Sequence, residues 1–292
     1  MTAITTSAAA PDTPVDVGAG AGSRRARLEA IRAIVAKDLT AVRRSKAVVL
    51  PMLFVPVLLL VVLPLVIGLI ASHSQAVEVD EFLSRLPAGV AEPITALPRQ
   101  EQMVVLVNGY LLAPLFLIVP LMISAVLAAD AFAGEKERKT LESLLHLPMP
   151  DKDLFLAKLA SAFIPALAVS WIGFLCFATV ANTVAWPVMH RLFLPTRLWM
   201  VMIVWVAPAV AALGLGVMVR VSARARTAQE ANQLGGAVIL PLIFLAMGQA
   251  TGLLLVDLPV AIGIGALVWL LAIFLIARGA RKFTRDALAA KV

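Results

Sequence analysis

The densest run of ionisable side chains in this sequence is Gly134 to Thr140, GEKERKT, with Glu142 just beyond it. A glycine followed by lysine and threonine invites comparison with a phosphate loop, in which backbone N–H groups cradle phosphate and a Gly-Lys-Ser/Thr triplet closes the loop. The comparison fails. Lys139 stands where the second glycine is required, Thr140 comes one position early, and no strand precedes the run to aim it. Metal chemistry has no better footing, because His73, His146 and His190 are isolated and share no ligand spacing. The single cysteine, Cys176, excludes both an intrachain disulfide and a cysteine cluster. Proton relays and intramembrane hydrolysis need ionisable or catalytic groups at membrane depth. Asp130, Glu230 and Asp257 lie only at the ends of apolar blocks. The block interiors carry milder groups: Asn108, Ser124, Ser170, Thr179, Gln249 and Thr251. Asn108 and Gln249 are expected to hydrogen-bond between helices rather than to line a substrate path. The chain itself is expected to catalyse nothing and to bind no metal or cofactor.

The elements that must carry these residues follow from composition. Of 292 residues 61% are hydrophobic and only 15% charged, against roughly 25% charged in soluble domains. The mean hydropathy is +0.95. Six apolar blocks are long enough to cross a bilayer as helices: residues 47–71, 103–129, 154–181, 198–219, 235–256 and 259–277. Continuous apolar runs rather than short alternating ones select helices over barrel strands. The expectation is an all-α membrane protein with six transmembrane helices. Residues 1–27 read as a disordered cytoplasmic tail without a signal peptide, 28–46 as an amphipathic helix, 47–278 as a six-span transmembrane domain and 279–292 as a cytoplasmic tail. Prolines recur inside the blocks, at Pro51, Pro56, Pro64, Pro114, Pro120, Pro165, Pro208 and Pro241, where each removes a backbone donor.

The charge of +7 is a matter of topology. Eight Lys and Arg precede the first block, five follow the second (Lys136, Arg138, Lys139, Lys152 and Lys158), three follow the fourth and five follow the sixth. Only Arg85, Arg99, Arg191 and Arg197 fall on the opposite side. The positive-inside rule therefore places both termini in the cytoplasm of a plasma-membrane protein. With its basic residues so explained, the chain gives no independent sign of nucleic-acid binding.

Two cytoplasmic segments stand out. In Leu28 to Lys46, Leu28, Ile31, Val35, Leu39 and Val42 recur at three to four residues and form one narrow apolar stripe. Such a helix lies in the headgroup plane, its basic side meeting anionic lipid. In Asp130 to Lys158, Glu135/Lys139 and Arg138/Glu142 are (i, i+4) pairs, Leu141, Leu144 and Leu145 add an apolar edge, and Pro148 and Pro150 end the helix. Asp151 is expected to cap the third span. A solvated turn would explain the charges but not three leucines away from the lipid; a protein partner explains both. On the outer side, Val79, Phe82, Leu83 and Leu86 are spaced for a short interfacial helix.

The run GEKERKTLESLLHLPMPDKDLFLAK resembles the signature of permease subunits of type-2 ABC exporters, including the sodium-efflux and multidrug-type permeases. The matching positions are Gly134 to Arg138, Thr140 to Glu142, Leu144, Leu145, Pro148 and Lys158; Lys139 stands where the family often has glycine. RTAQEANQLGG, Arg226 to Gly236, and the six-span layout also resemble the family. The resemblance implies a connecting helix at Leu28 to Lys46 and a coupling helix at Glu135 to Leu145. It implies that the coupling helix docks on a separate ABC ATPase subunit through Glu135, Arg138, Thr140, Leu141, Leu144 and Leu145. ATP and magnesium would be bound by that partner, and a second permease copy or a sibling would complete the transporter. The competing readings are a secondary transporter or channel working without an ATPase, and an intramembrane enzyme.

Overall fold

The computed structural model describes residues 21–44, 46–66, 69, 83–84, 88–138, 150–250 and 256–282. Among them the chain is helical almost throughout and contains no strand. We number the helices α1 (Ala21–Arg44), α2 (46–66), α3 (Ala88–Thr95), α4 (Arg99–Gly134), α5 (Asp151–Met189), α6 (Arg197–Ser222), α7 (Ala228–Gln249) and α8 (Leu258–Lys282). Five of these, α4 to α8, are long and apolar enough to cross a membrane. The first apolar block supplies a shorter apolar helix, Met52–Val66, within α2. Among the described residues the span count is thus five rather than the expected six. The fifth span also begins seven residues early, because the helix starts at the polar Ala228–Gly235 turn and passes through a 3₁₀ segment at Gly236–Ile239.

The prolines act in a way that hydropathy alone does not reveal. Pro64, Pro114 and Pro208 each follow a π-helical segment, at Leu58–Val62, Val105–Leu111 and Met202–Val206 respectively. A proline ring clashes with the carbonyl four residues back and cannot donate to it. Widening the preceding turn moves that carbonyl aside and lets the helix continue. A fourth π turn, Asp130–Gly134, has no proline in the four residues after it and is held by other means.

The core is built mainly by α4, α5 and α6. Phe116, Phe174, Phe177 and Trp199 form one aromatic cluster, with ring centroids of Trp199 at 4.8 to 5.4 Å from the three phenylalanines. Trp199 Nε1 donates to Asn108 O at 2.9 Å, so its one polar atom is satisfied where the π turn presents a carbonyl. Helices α4 and α6 meet closely at Gly214, where a Cβ would stand 2.5 Å from Ser124 Oγ. On the side that the charge asymmetry assigns to the exterior, Arg191 Nη2 donates to Glu101 Oε2 at 2.6 Å. There too, Asn182 accepts from the N–H groups of Phe193 and Leu194 and donates to Leu194 O, fixing the α5–α6 connection. Leu83 is buried against Ile94 and Leu106; the other residues of the expected outer helix, Val79, Phe82 and Leu86, lie outside the described residues.

Among the described residues, neither Asn108 nor Gln249 makes a side-chain hydrogen bond to another helix. Asn108 Nδ2 donates to Val104 O within its own helix at 3.1 Å. Among the described residues, both polar atoms of the fully buried Gln249 find no acceptor or donor.

Candidate functional site

The site is assembled at the basic end of the bundle, where α1, the end of α4 and the start of α5 converge. Helix α1 docks by its apolar stripe, but through a residue the stripe had omitted. Ile34 is buried against Leu154 and Ala157 of α5, with Ile31 beside it, while Leu28 is exposed. Docking brings Lys37 over the end of α4. Asp151 is the first residue of α5 rather than its cap; Pro150 occupies the cap position. That start places Lys158 two turns into the helix and directed inward.

Glu135 is where the three elements meet. Its Oε1 accepts from Lys158 Nζ at 2.8 Å and from Lys37 Nζ at 3.2 Å. The Glu135 and Lys158 side chains are only 5% and 2% exposed, whereas Lys37 is 54% exposed. Lys158 Nζ also donates to Ala131 O at 3.0 Å. That carbonyl belongs to the π turn Asp130–Gly134, so one ammonium both satisfies a displaced backbone acceptor and neutralises a buried carboxylate. This is what holds the fourth π turn without a proline. Two buried charges in low dielectric are tolerated only with such pairing and hydrogen bonding.

A second pair spans the same turn from outside. Arg138 Nη1 donates to Asp130 Oδ1 at 3.1 Å, reaching back over Gly134. A Cβ at Gly134 would lie 2.9 Å from Asp130 Oδ1 and 3.0 Å from Arg138 Nη2. Glycine is needed here because the ion pair passes over it. Gly134→Ala should therefore displace Arg138 while costing little stability, about 1 kcal/mol or less, since the pair is half-exposed. A chemical-denaturation midpoint close to wild type, with altered reactivity of Arg138 toward a dicarbonyl reagent, is the expected result.

Electrostatics keep the cluster closed at neutral pH. Burial pulls the Lys37 ammonium down, but Glu135 and Asp38 together outweigh it and hold its pKa above the usual lysine value. A lysine raised in the folded state contributes fully below its unfolded value and loses that contribution only as pH climbs through the raised one. A cleft of about 210 Å³ lined by Lys37, Asp38, Asp130, Glu135 and Arg138 separates α1 from the end of α4.

The two motif runs are brought together here. Glu137 Oε2 accepts from Ala228 N–H at 3.1 Å, at the N-terminus of α7. Thr227 caps that helix by accepting from Glu230 N–H, and Glu230 Oε2 accepts in return from Arg226 N–H at 2.7 Å. This is a capping box shifted by one residue, and an acidic side chain at a helix start is favoured by the dipole. Of the six residues expected to dock a partner, the structure describes two. Glu135 turns inward, and Arg138 lies exposed at the last described position before the loop. Thr140, Leu141, Leu144 and Leu145 lie outside the described residues. Sequence spacing had missed Lys37, Asp130 and Glu137 as members of the cluster; the only signal for them was their crowding at the block ends.

Among the described residues no group of His, Cys, Asp and Glu has the geometry of a metal site. No curated protein matches the sequence. A family model described as ABC-2 family transporter protein matches residues 32–274, which takes in α1 from its fourth turn, the ionic cluster, four of the five long apolar helices whole and α8 as far as Phe274. The chain belongs to the ABC-2 transporter family and is a multi-pass membrane permease of an ABC transporter.

Proposed function

We propose that this chain is the pathway-forming, non-catalytic subunit of an ABC exporter in the plasma membrane, driven by a separate ATPase subunit that docks on the segment following Arg138. The observation that supports this most is the Lys37–Glu135–Lys158 cluster. It ties the root of that segment to α1 on one side and α5 on the other, so a displacement of the loop is delivered to several helices at once. The loop itself is too short to be a domain, yet carries Leu141, Leu144 and Leu145 beside Arg138 and Glu142. That combination suits an interface with an apolar centre and a charged rim. In this reading Thr140, Leu141, Leu144 and Leu145 contact the ATPase and Arg138 sets its orientation. Glu135 acts from inside, holding the root of the segment in place. ATP and magnesium belong to the partner. A second permease, identical or a sibling, completes the pathway, and ATP-driven motion of the docked loops switches its access between two states.

Orientation is tested with single cysteines at Ser84 and Ser143 in a Cys176→Ala background. An impermeant maleimide applied to intact cells should label position 84 and spare position 143. The reverse pattern would place the docking segment outside the cell and refute the reading. The division of labour is tested by purifying the chain free of partners, where ATP hydrolysis should be at background; hydrolysis that survives removal of every other subunit would contradict it.

A further inference from the structure

The last helix carries a feature that the ATPase-driven pathway does not use. Along α8 the buried positions Ala261, Ala272 and Gly279 define the face packed on the bundle. Gly279 lies beside Val219 and Phe155, at the same end as the ionic cluster. The opposite face is an exposed apolar stripe, Leu267, Leu270, Leu271 and Phe274, continued at the same helical spacing by Arg278 and Arg281. In a helix that crosses a bilayer this stripe faces acyl chains, so the two guanidiniums stand where those chains give way to headgroups. Neither arginine pairs with a carboxylate among the described residues, in contrast to Lys37, Arg138, Lys158 and Arg191. The Arg278 guanidinium carbon lies 6.0 Å from the centroid of the Phe274 ring one turn earlier on the same helix, so its charge rests on the end of the apolar stripe. Phe274, Ala277, Arg278 and Arg281 together line an open groove of about 460 Å³, apolar at one end and cationic at the other.

We propose that this groove is a site for one anionic phospholipid, its phosphate held by Arg278 and Arg281 and its acyl chain along Phe274 and Leu270. The continuity of the lipid-facing stripe with two arginines that meet no carboxylate among the described residues is the juxtaposition that carries the assignment. A free phosphate would use the arginines and leave the stripe idle; a lipid uses both. The ligand class follows from charge and depth alone and does not depend on the ATPase-docking reading.

The test uses the purified full chain in discs of phosphatidylcholine doped with phosphatidylglycerol, with retained lipid counted by native mass spectrometry. Wild type should retain one more phosphatidylglycerol than Arg278→Gln/Arg281→Gln. Its preference over phosphatidylcholine should be roughly five-fold greater for each arginine present. Equal retention by the double variant would overturn the site. Inorganic phosphate should not displace the lipid; displacement would show a free-anion site and refute the lipid assignment. A second measurement needs no variant. Phosphatidylglycerol with a photoreactive headgroup, bound to wild type, should yield adducts between Phe274 and Arg281, and adducts confined to other helices would refute the proposal.

Discussion

Glu135→Ala should destabilise the permease by about 3–5 kcal/mol, the range for removing one partner of a buried ion pair. The variant leaves Lys158, 2% exposed, without its carboxylate, and among the described residues only Ala131 O remains to it. Lys37 adds little to the cost, since its exposed ammonium returns to water and to Asp38. Lys158→Met alone should cost a similar amount, because it strips both Glu135 and the π turn of their buried donor. Combining the two changes should recover part of the loss, since the double variant leaves neither buried charge stranded. Thermal unfolding of the four proteins in one detergent closes the cycle. Strict additivity of the two single losses would show that Glu135 and Lys158 do not act as a pair. By contrast Asp130→Asn, which breaks the half-exposed pair to Arg138, should stay within about 1 kcal/mol of wild type.

Leu144→Asp should abolish recovery of the ATPase subunit with the permease while leaving the amount of folded permease near normal. A leucine at the centre of a small interface contributes on the order of 2 kcal/mol or more, about 30-fold in affinity, and a buried aspartate adds a desolvation penalty to that loss. The competing possibility is that the three leucines pack on the inner ends of neighbouring spans. In that case the same substitution lowers the yield of folded permease itself, and the ATPase still binds whatever folds. Expression level and pull-down, read together, separate the two. Transport should fall with ATPase recovery under docking and with permease yield under packing.

The sequence made the class of this molecule plain and its pairing pattern opaque, for reasons that can be named. Continuous apolar blocks require helices in a bilayer, so α4 to α8 were legible from length and hydropathy. The first block, read as 47–71, supplies the apolar helix Met52–Val66 among the described residues, with a π turn at Leu58–Val62 that hydropathy does not show. Within the GEKER run, helical periodicity looks only to neighbours three and four residues away. It offered Glu135 to Lys139 and Arg138 to Glu142. Lys139 and Glu142 lie outside the described residues; among those described, Glu135 is joined to Lys158 and Lys37 on two other helices, and Arg138 to Asp130 eight residues back. Spacing could not anticipate the last pair, because the π turn between its members changes which residues share a face. The stripe on α1 was found, yet its anchor, Ile34, was not, because an evenly spaced apolar set hides which member meets a partner. Gln249 marks the remaining gap: a polar residue in a span promised an interhelical bond, and none is present among the described residues.

The central claim is that this permease works only with an ATPase held at the loop after Arg138. The most direct test is affinity purification of the full chain from its native membrane in mild detergent, with the co-eluting subunits identified and ATP hydrolysis measured. A stoichiometric ABC ATPase should co-elute, hydrolysis should depend on that subunit, and a cysteine at Ser143 should cross-link to it. Recovery of a transport-competent permease with no ATPase bound, or an ATPase that cross-links elsewhere and is indifferent to the loop, would contradict the account.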